Sequence, residues 1–158
     1  MITSENLAKK IRMESIKMVA RAKASHIGGA LSIADLLAVL YTDILKVDPE
    51  HPEWEERDRL ILSKGHSCVG LYSTLALKGF FPIEELLSYG LDGSSLMAHV
   101  SHKVAGVDFS TGSLGHGLLW ALTGYTISIN HYARLRVYLF CFHTLIKLRM
   151  AGRCLISQ

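Results

Sequence analysis

An α/β fold, an open and mainly parallel sheet flanked by helices, is predicted by three observations. First, Arg59-Leu60-Ile61-Leu62-Ser63 sets three consecutive aliphatics between a charged residue and a Lys64-Gly65 turn, the form of a short buried strand. Second, the residues that follow, Cys68 to Lys78, carry Val69, Leu71, Tyr72, Leu75 and Leu77, a mostly apolar run suited to a buried helix. Third, strand, glycine turn and helix in that order are the local plan of an open parallel sheet, in which ligands bind beyond the carboxyl ends of the strands. His66 falls at that edge.

Residues 4 to 24 read as an amphipathic helix. Ser4 is placed to act as N-cap, Glu5 complements the positive helix start, and Leu7, Ile11, Met18 and Val19 recur at helical spacing. Lys9, Lys10, Arg12 and Lys17 fall on what reads as a solvated face. The run closes in Ala24-Ser25-His26-Ile27-Gly28-Gly29, where adjacent glycines permit unusual backbone and hold His26 at a turn, off a helix face. A second helix is expected from Ser32, with Asp35 three residues on as in a capping box. Its apolar face is wide: Ile33, Leu36, Leu37, Leu40, Tyr41, Ile44 and Leu45. Asp48 to Pro52 reads as a polar loop, and Glu53 to Asp58 as a mixed-charge run leading into the strand. Pro82 suits the first turn of a short helix through Leu87. From Gly90 to Gly117 the chain turns rich in Gly, Ser and His, and a loop of that length in a compact domain is usually functional or else disordered.

The bulk numbers set bounds. With 158 residues, 49% hydrophobic and 20% charged, the chain is one domain able to bury a core, the reverse of a disordered composition. All 14 acidic residues lie at or before Asp108. Residues 119 to 158 hold five basic residues, Arg134, Arg136, Lys147, Arg149 and Arg153, and no Asp, Glu or Pro. Three cysteines without pairing or metal spacing (Cys68, Cys141, Cys154), and a start without a secretory signal, lead us to expect a reduced, cytoplasmic protein. The longest charge-free run, Phe109 to Ala133, is broken by Gly, Ser, His and Asn and makes a poor membrane span.

The candidate chemistry lies in histidines at the ends of elements: His26, His66 and His99, with His102 and His116 nearby. Any one of them is more often structural or solvated than functional. Several at loop positions of one α/β domain shift the balance, because an imidazole moves protons near neutral pH and donates to alkoxides or phosphates. A zinc site competes, but His-x3-His and Cys-x2-Cys spacings are absent; only His99 and His102 are close, with no Asp or Glu spaced as their partner. A Walker-type phosphate loop is excluded, since no G-x4-G-K-[ST] occurs.

Four motifs, S-H-I-G-G-A-L-S (25–32), D-R-L-I-L-S-K-G-H-S (58–67), A-H-V-S-H (98–102) and G-V-D-F-S-T-G-S-L-G-H-G (106–117), together resemble the amino-terminal part of transketolase. The similarity is closest to the separately encoded amino-terminal subunits of split transketolases and covers residues 5 to about 118. It implies the diphosphate-binding module of a thiamine diphosphate enzyme that works as a dimer with a pyrimidine-binding module, the carboxy-terminal subunit. It further implies that His26 contacts substrate and assists its proton transfers, and that His66 lies near the cofactor diphosphate and the substrate. His99 matches the family's next His, with Ala98 where Gly is usual. Gly112, Ser113 and Leu114 match the loop lying against the cofactor.

The resemblance departs after Gly117. The family continues with a helix and then a strand that opens with R-V and ends in G-D-G, whose Asp, with a later Asn, holds magnesium. Here Arg136-Val137-Tyr138-Leu139 begins such a strand, but Phe140-Cys141-Phe142-His143 replaces G-D-G. A divalent ion needs hard oxygen ligands, so residues 119 to 158 are not expected to supply that Mg2+ site. The division expected is therefore 1–118, the leading part of the cofactor domain, and 119–158, a divergent basic and apolar tail of the kind a shifted frame or truncated gene produces. The implied activity is transfer of a two-carbon ketol unit between sugar phosphates, in a homo- or hetero-oligomer, with no nucleic acid or membrane partner. The chain alone is expected to be inactive. The alternatives are a truncated, non-catalytic fragment of such a subunit, or another thiamine diphosphate enzyme such as deoxyxylulose phosphate synthase.

Overall fold

The computed structural model describes residues 2–117 and two further stretches, 136–141 and 144–149. Helix α1 (Ser4–Ala22) starts one residue earlier in capping terms than expected: the Thr3 hydroxyl, not Ser4, accepts from the Asn6 amide. Its stripe is as the spacing predicts, with Leu7, Ile11 and Met18 buried. Lys23 closes the helix in a left-handed conformation, its N–H reaching the last-turn carbonyls of Val19 and Ala20. His26 is left-handed too, at φ 69°, so the chain turns sharply between helices as expected.

Helix α2 (Ile27–Val39) departs from the expectation of a start at Ser32. His26 stands at its N-cap position, and Gly28 and Gly29 lie inside its first turn instead of outside it. Ser32 does not cap; its hydroxyl donates to the Gly29 carbonyl at 2.8 Å. Asp35 pairs with Arg12 across the helix gap, so Arg12 is not merely solvated. The glycine lets α2 begin early because Gly29 lies against the next element: a Cβ there would fall 2.4 Å from the Ser67 hydroxyl. A π-helical turn (Leu40–Ile44) continues α2. The stretch Ile27–Ile44 is long and apolar enough to cross a membrane by length and composition; here Ile33, Ala34, Leu37 and Ala38 join the core formed with α1 and α3.

Strand β1 (Arg59–Leu62) buries Leu60, Ile61 and Leu62. A 3-10 turn (Gly65–Ser67) carries the chain into helix α3 (Cys68–Lys78), whose first nine residues are all buried. Gly70 lets α3 approach α2 to contact distance at Ala30. The buried Ser15 hydroxyl links α1 to α3 through Val69 O at 3.3 Å and the Ser73 hydroxyl at 3.2 Å. Pro82 precedes a 3-10 helix (Ile83–Ser88), as its fixed φ suggests.

Strand β2 (Arg136–Cys141) lies parallel to β1, Arg59 opposite Val137 and Leu62 opposite Phe140. Its start is where the sequence places it. Strand β3 (Thr144–Arg149), which the sequence pattern does not announce, returns antiparallel on β2, giving the order β1-β2-β3. The described sheet therefore holds one parallel and one antiparallel pair. The helix expected between Gly117 and Arg136 lies outside the described residues, as does the tail beyond Arg149.

Asp108 sits where the mixed-charge segment meets the Gly/Ser loop. Arg57, nearly fully buried, grips both of its carboxylate oxygens, and Arg59 donates to one of them at 2.7 Å. Arg57 and Asp58, which close the mixed-charge 53–58 run, are buried.

Candidate active site

The end of β1 positions the site. Gly65 has no room for a side chain: a Cβ would fall 2.1 Å from the Thr111 carbonyl oxygen and 3.0 Å from the Gly112 nitrogen. The His66 turn and the 111–112 backbone are thereby pressed together. Val100 N donates to Gly65 O at 3.2 Å, and Thr111 N donates to Val100 O at 3.1 Å. The Thr111 hydroxyl donates to Leu62 O at 2.6 Å, and Gly117 N donates to the Ser63 hydroxyl at 2.9 Å. Three separate sequence segments meet at one strand end.

They bring the expected imidazoles together. The His26 ring centre lies 5.5 Å from that of His66 and 6.2 Å from that of His99. His26 and His99 are exposed and His66 is half-buried, so the cluster forms a surface that a solute can meet. Gly112 is partly covered and Ser113 and Leu114 are exposed on the loop that runs from Thr111. His102 is held beside that loop, its Nδ1 2.7 Å from the Ser110 hydroxyl. His116 is exposed, its amide closing a turn onto Ser113 O.

The electrostatics favour neutral imidazole at His66. Burial lowers its pKa first, followed by repulsion from His26, Lys64 and His99. Lys64 is buried, which lowers its own pKa, and its ammonium donates to the Ser32 hydroxyl at 3.3 Å. Sequence reasoning passes over Lys64, although it lies inside the K-G-H motif. It also misses Tyr72, whose hydroxyl donates to His99 O at 2.7 Å and accepts from Ser101 N at 3.1 Å. Nothing in an apolar helical run distinguishes such a tyrosine; its role needs the fold. Cys68 is a poor nucleophile, since burial pushes its thiol up to about 12.

The donor set suits an anionic, hydroxyl-bearing ligand: three imidazoles and one ammonium beside a loop whose 111–112 backbone Gly65 lets approach closely. It does not suit magnesium. Among the described residues no group of three or more His, Cys, Asp or Glu could hold a metal ion, and the sequence has no carboxylate side chain after Asp108.

The chain is similar to known proteins over most of its length. The family profile described as "Transketolase, thiamine diphosphate binding domain" matches residues 3–135. The 6-deoxy-6-sulfo-D-fructose transketolase subunit of Clostridium sp. (strain MSTE9) is 44% identical over 117 residues, 73% of this chain and 42% of that protein. An apulose-4-phosphate transketolase subunit of Phocaeicola vulgatus is 44% identical over 116 residues, 73% of this chain and 41% of that protein. Among solved structures, transketolase from Leishmania mexicana superposes with a TM-score of 0.80 at 30% identity, over 89% of this chain and 23% of its own. The Campylobacter jejuni transketolase gives 0.76 at 31% identity, over 87% and 23%. The chain thus spans about two fifths of the length of the curated subunits it matches.

Proposed function

The chain belongs to the transketolase family, in its thiamine diphosphate-binding domain, and from that premise we propose that it is the cofactor-binding subunit of an enzyme moving a two-carbon ketol unit between sugar phosphates. The convergence of His26, His66 and His99 at the carboxyl end of β1 carries the reading. When bound, thiamine diphosphate supplies the carbanion through its thiazolium. In this reading His26 contacts the substrate and moves its protons, and His66, neutral and buried enough to be oriented, donates to the diphosphate and the substrate. His99, its loop held by Tyr72, completes the catalytic set. Gly112, Ser113 and Leu114 run along the cofactor.

The partner is a carboxy-terminal subunit bearing the pyrimidine-binding module, in a homo- or hetero-oligomer; two similar proteins are themselves named as subunits. The complete module has a mainly parallel sheet, with residues 1–118 as the leading part of the cofactor domain and 119–158 as a divergent tail. The protein is soluble and cytoplasmic. Magnesium is expected of the family, but the described residues do not fit it. That same misfit supports the second reading, a non-catalytic fragment. The test is made in an assembled enzyme that carries these residues together with a metal-binding carboxyl half. There His26→Ala lowers turnover by roughly 10²-fold or more, the scale of a positioned proton-transfer group, and changes cofactor affinity less. Unaltered turnover with an intact fold removes the role assigned to His26.

A further inference from the structure

Asp108 belongs to no part of the site described above, yet it binds the segments that build it. Its carboxylate, 13% exposed, meets the Arg57 guanidinium at 2.7 and 3.2 Å and that of Arg59 at 2.7 Å. Both arginines are committed elsewhere as well. Arg57 donates to the carbonyls of Pro52 and Asp58, and Arg59 to those of Trp54 and Glu55. The result is a node of three charged side chains joining the 52–58 segment, the first residue of β1 and the start of the 108–117 loop. Bidentate, charge-assisted pairs fix direction as well as distance. Two guanidiniums this close also need the carboxylate, because removing it leaves like charges facing each other in a poorly hydrated place.

From Asp108 the loop runs three residues to Thr111, and its bonds from there reach the end of β1 and the turn that carries His66. Thr111 is bonded to Leu62 and Val100, Val100 to Gly65, and Gly117 to Ser63. With Thr111 O packed against Gly65, a small slide of the loop along β1 would change where Gly112 to Leu114 stand relative to His66. We propose that Asp108 is a positioning residue: by gathering Arg57 and Arg59 it sets the register of the 110–117 loop against the Gly65–His66 turn. The functional weight of that register rests on the cofactor-binding reading, but the register itself does not.

Amide hydrogen exchange by NMR on the full chain, without cofactor, tests it. Val100, Thr111 and Gly117 amides are hydrogen-bonded and report the loop; the Leu7 to Met18 amides of α1 report the global fold. Asp108→Asn keeps the shape and removes the charge. It should speed exchange at the three loop amides about tenfold or more and leave α1 unchanged, the scale for losing hydrogen bonds to a charged group. Asp108→Glu, which keeps the charge, should restore most of the protection. If Asp108→Asn does not fold, Arg59→Gln, which leaves the Arg57 pair intact, should give a smaller rise confined to the same amides. Unchanged loop exchange, or an equal rise in α1, overturns the proposal. A loop-confined effect in the chain, joined to unaltered thiamine diphosphate affinity of the Asp108→Asn variant in the assembled enzyme, would count against the cofactor-binding reading alone.

Discussion

At His66 the pKa shift has a cause that can be taken apart. Burial comes first, then the charges of His26, Lys64 and His99. Below the ordinary value of 6.5 the unfolded chain takes up a proton at this imidazole that the folded chain still refuses. Stability therefore falls as pH drops from 6.5 through the lower folded value, and is unaffected by this group above 6.5. Lys64→Met removes one repelling charge and leaves the burial. An NMR titration of the ring should show the His66 pKa moving up, yet stopping short of 6.5; no movement would mean the ammonium does not act on the ring. The sequence made His66 legible because its glycine turn and strand are local. Lys64 and Asp108 were not legible as contributors, although both lie in quoted motifs, because burial of a charge is decided by segments distant in the chain. Lys64 meets Ser32, and Asp108 meets Arg57 and Arg59.

Among the elements, α1 could be read from helical spacing, and β1 and α3 from their apolar runs, because α1 buries one stripe and the other two bury nearly all of themselves. The start of α2 could not. A capping-box spelling at Ser32 competes with two glycines that ordinarily end or interrupt helices, and local propensity favours the later start. Packing decides otherwise: Gly29 fits beneath Ser67 and Gly70 meets Ala30, so the helix is drawn back to Ile27. β3 was missed for a related reason, since an antiparallel return depends on its partner strand more than on its own residues. The turn after β1 is where packing between these elements is tightest and can be tested by one methyl group. Gly65→Ala places a methyl group 2.1 Å from the Thr111 carbonyl oxygen, which is backbone and tied to Leu62 and Val100 by its own residue's bonds. Either the loop shifts or the 3-10 turn does. The cost expected is about 1–3 kcal/mol, as for overpacking, seen as a lower denaturation midpoint with an unchanged urea m-value. A variant as stable as the parent would show that the two segments are not held in contact in solution.

The whole molecule is electrically divided. Its 14 carboxylates all lie at or before Asp108, and residues 119 to 158 add five basic side chains and none that is acidic. That division bears directly on the cofactor. A diphosphate brings several negative charges, which the resemblance implies are neutralised chiefly through a metal held by carboxylate and amide oxygens. Hard divalent cations require such oxygens, and no carboxylate side chain is present where the resemblance requires one. Imidazoles and Lys64 attract a phosphate, but the exposed His26 and His99 are screened by solvent, the buried Lys64 is held by Ser32, and together they do not reproduce a metal clamp. The pyrimidine half would also lack the module that the resemblance assigns to a partner. The chain by itself should therefore show no measurable binding of thiamine diphosphate with magnesium. Titration calorimetry on the purified chain with both is the measurement. Saturable, magnesium-dependent binding in the micromolar range would mean that other residues have taken over the metal site, and the division of the chain near residue 118 would have to be abandoned.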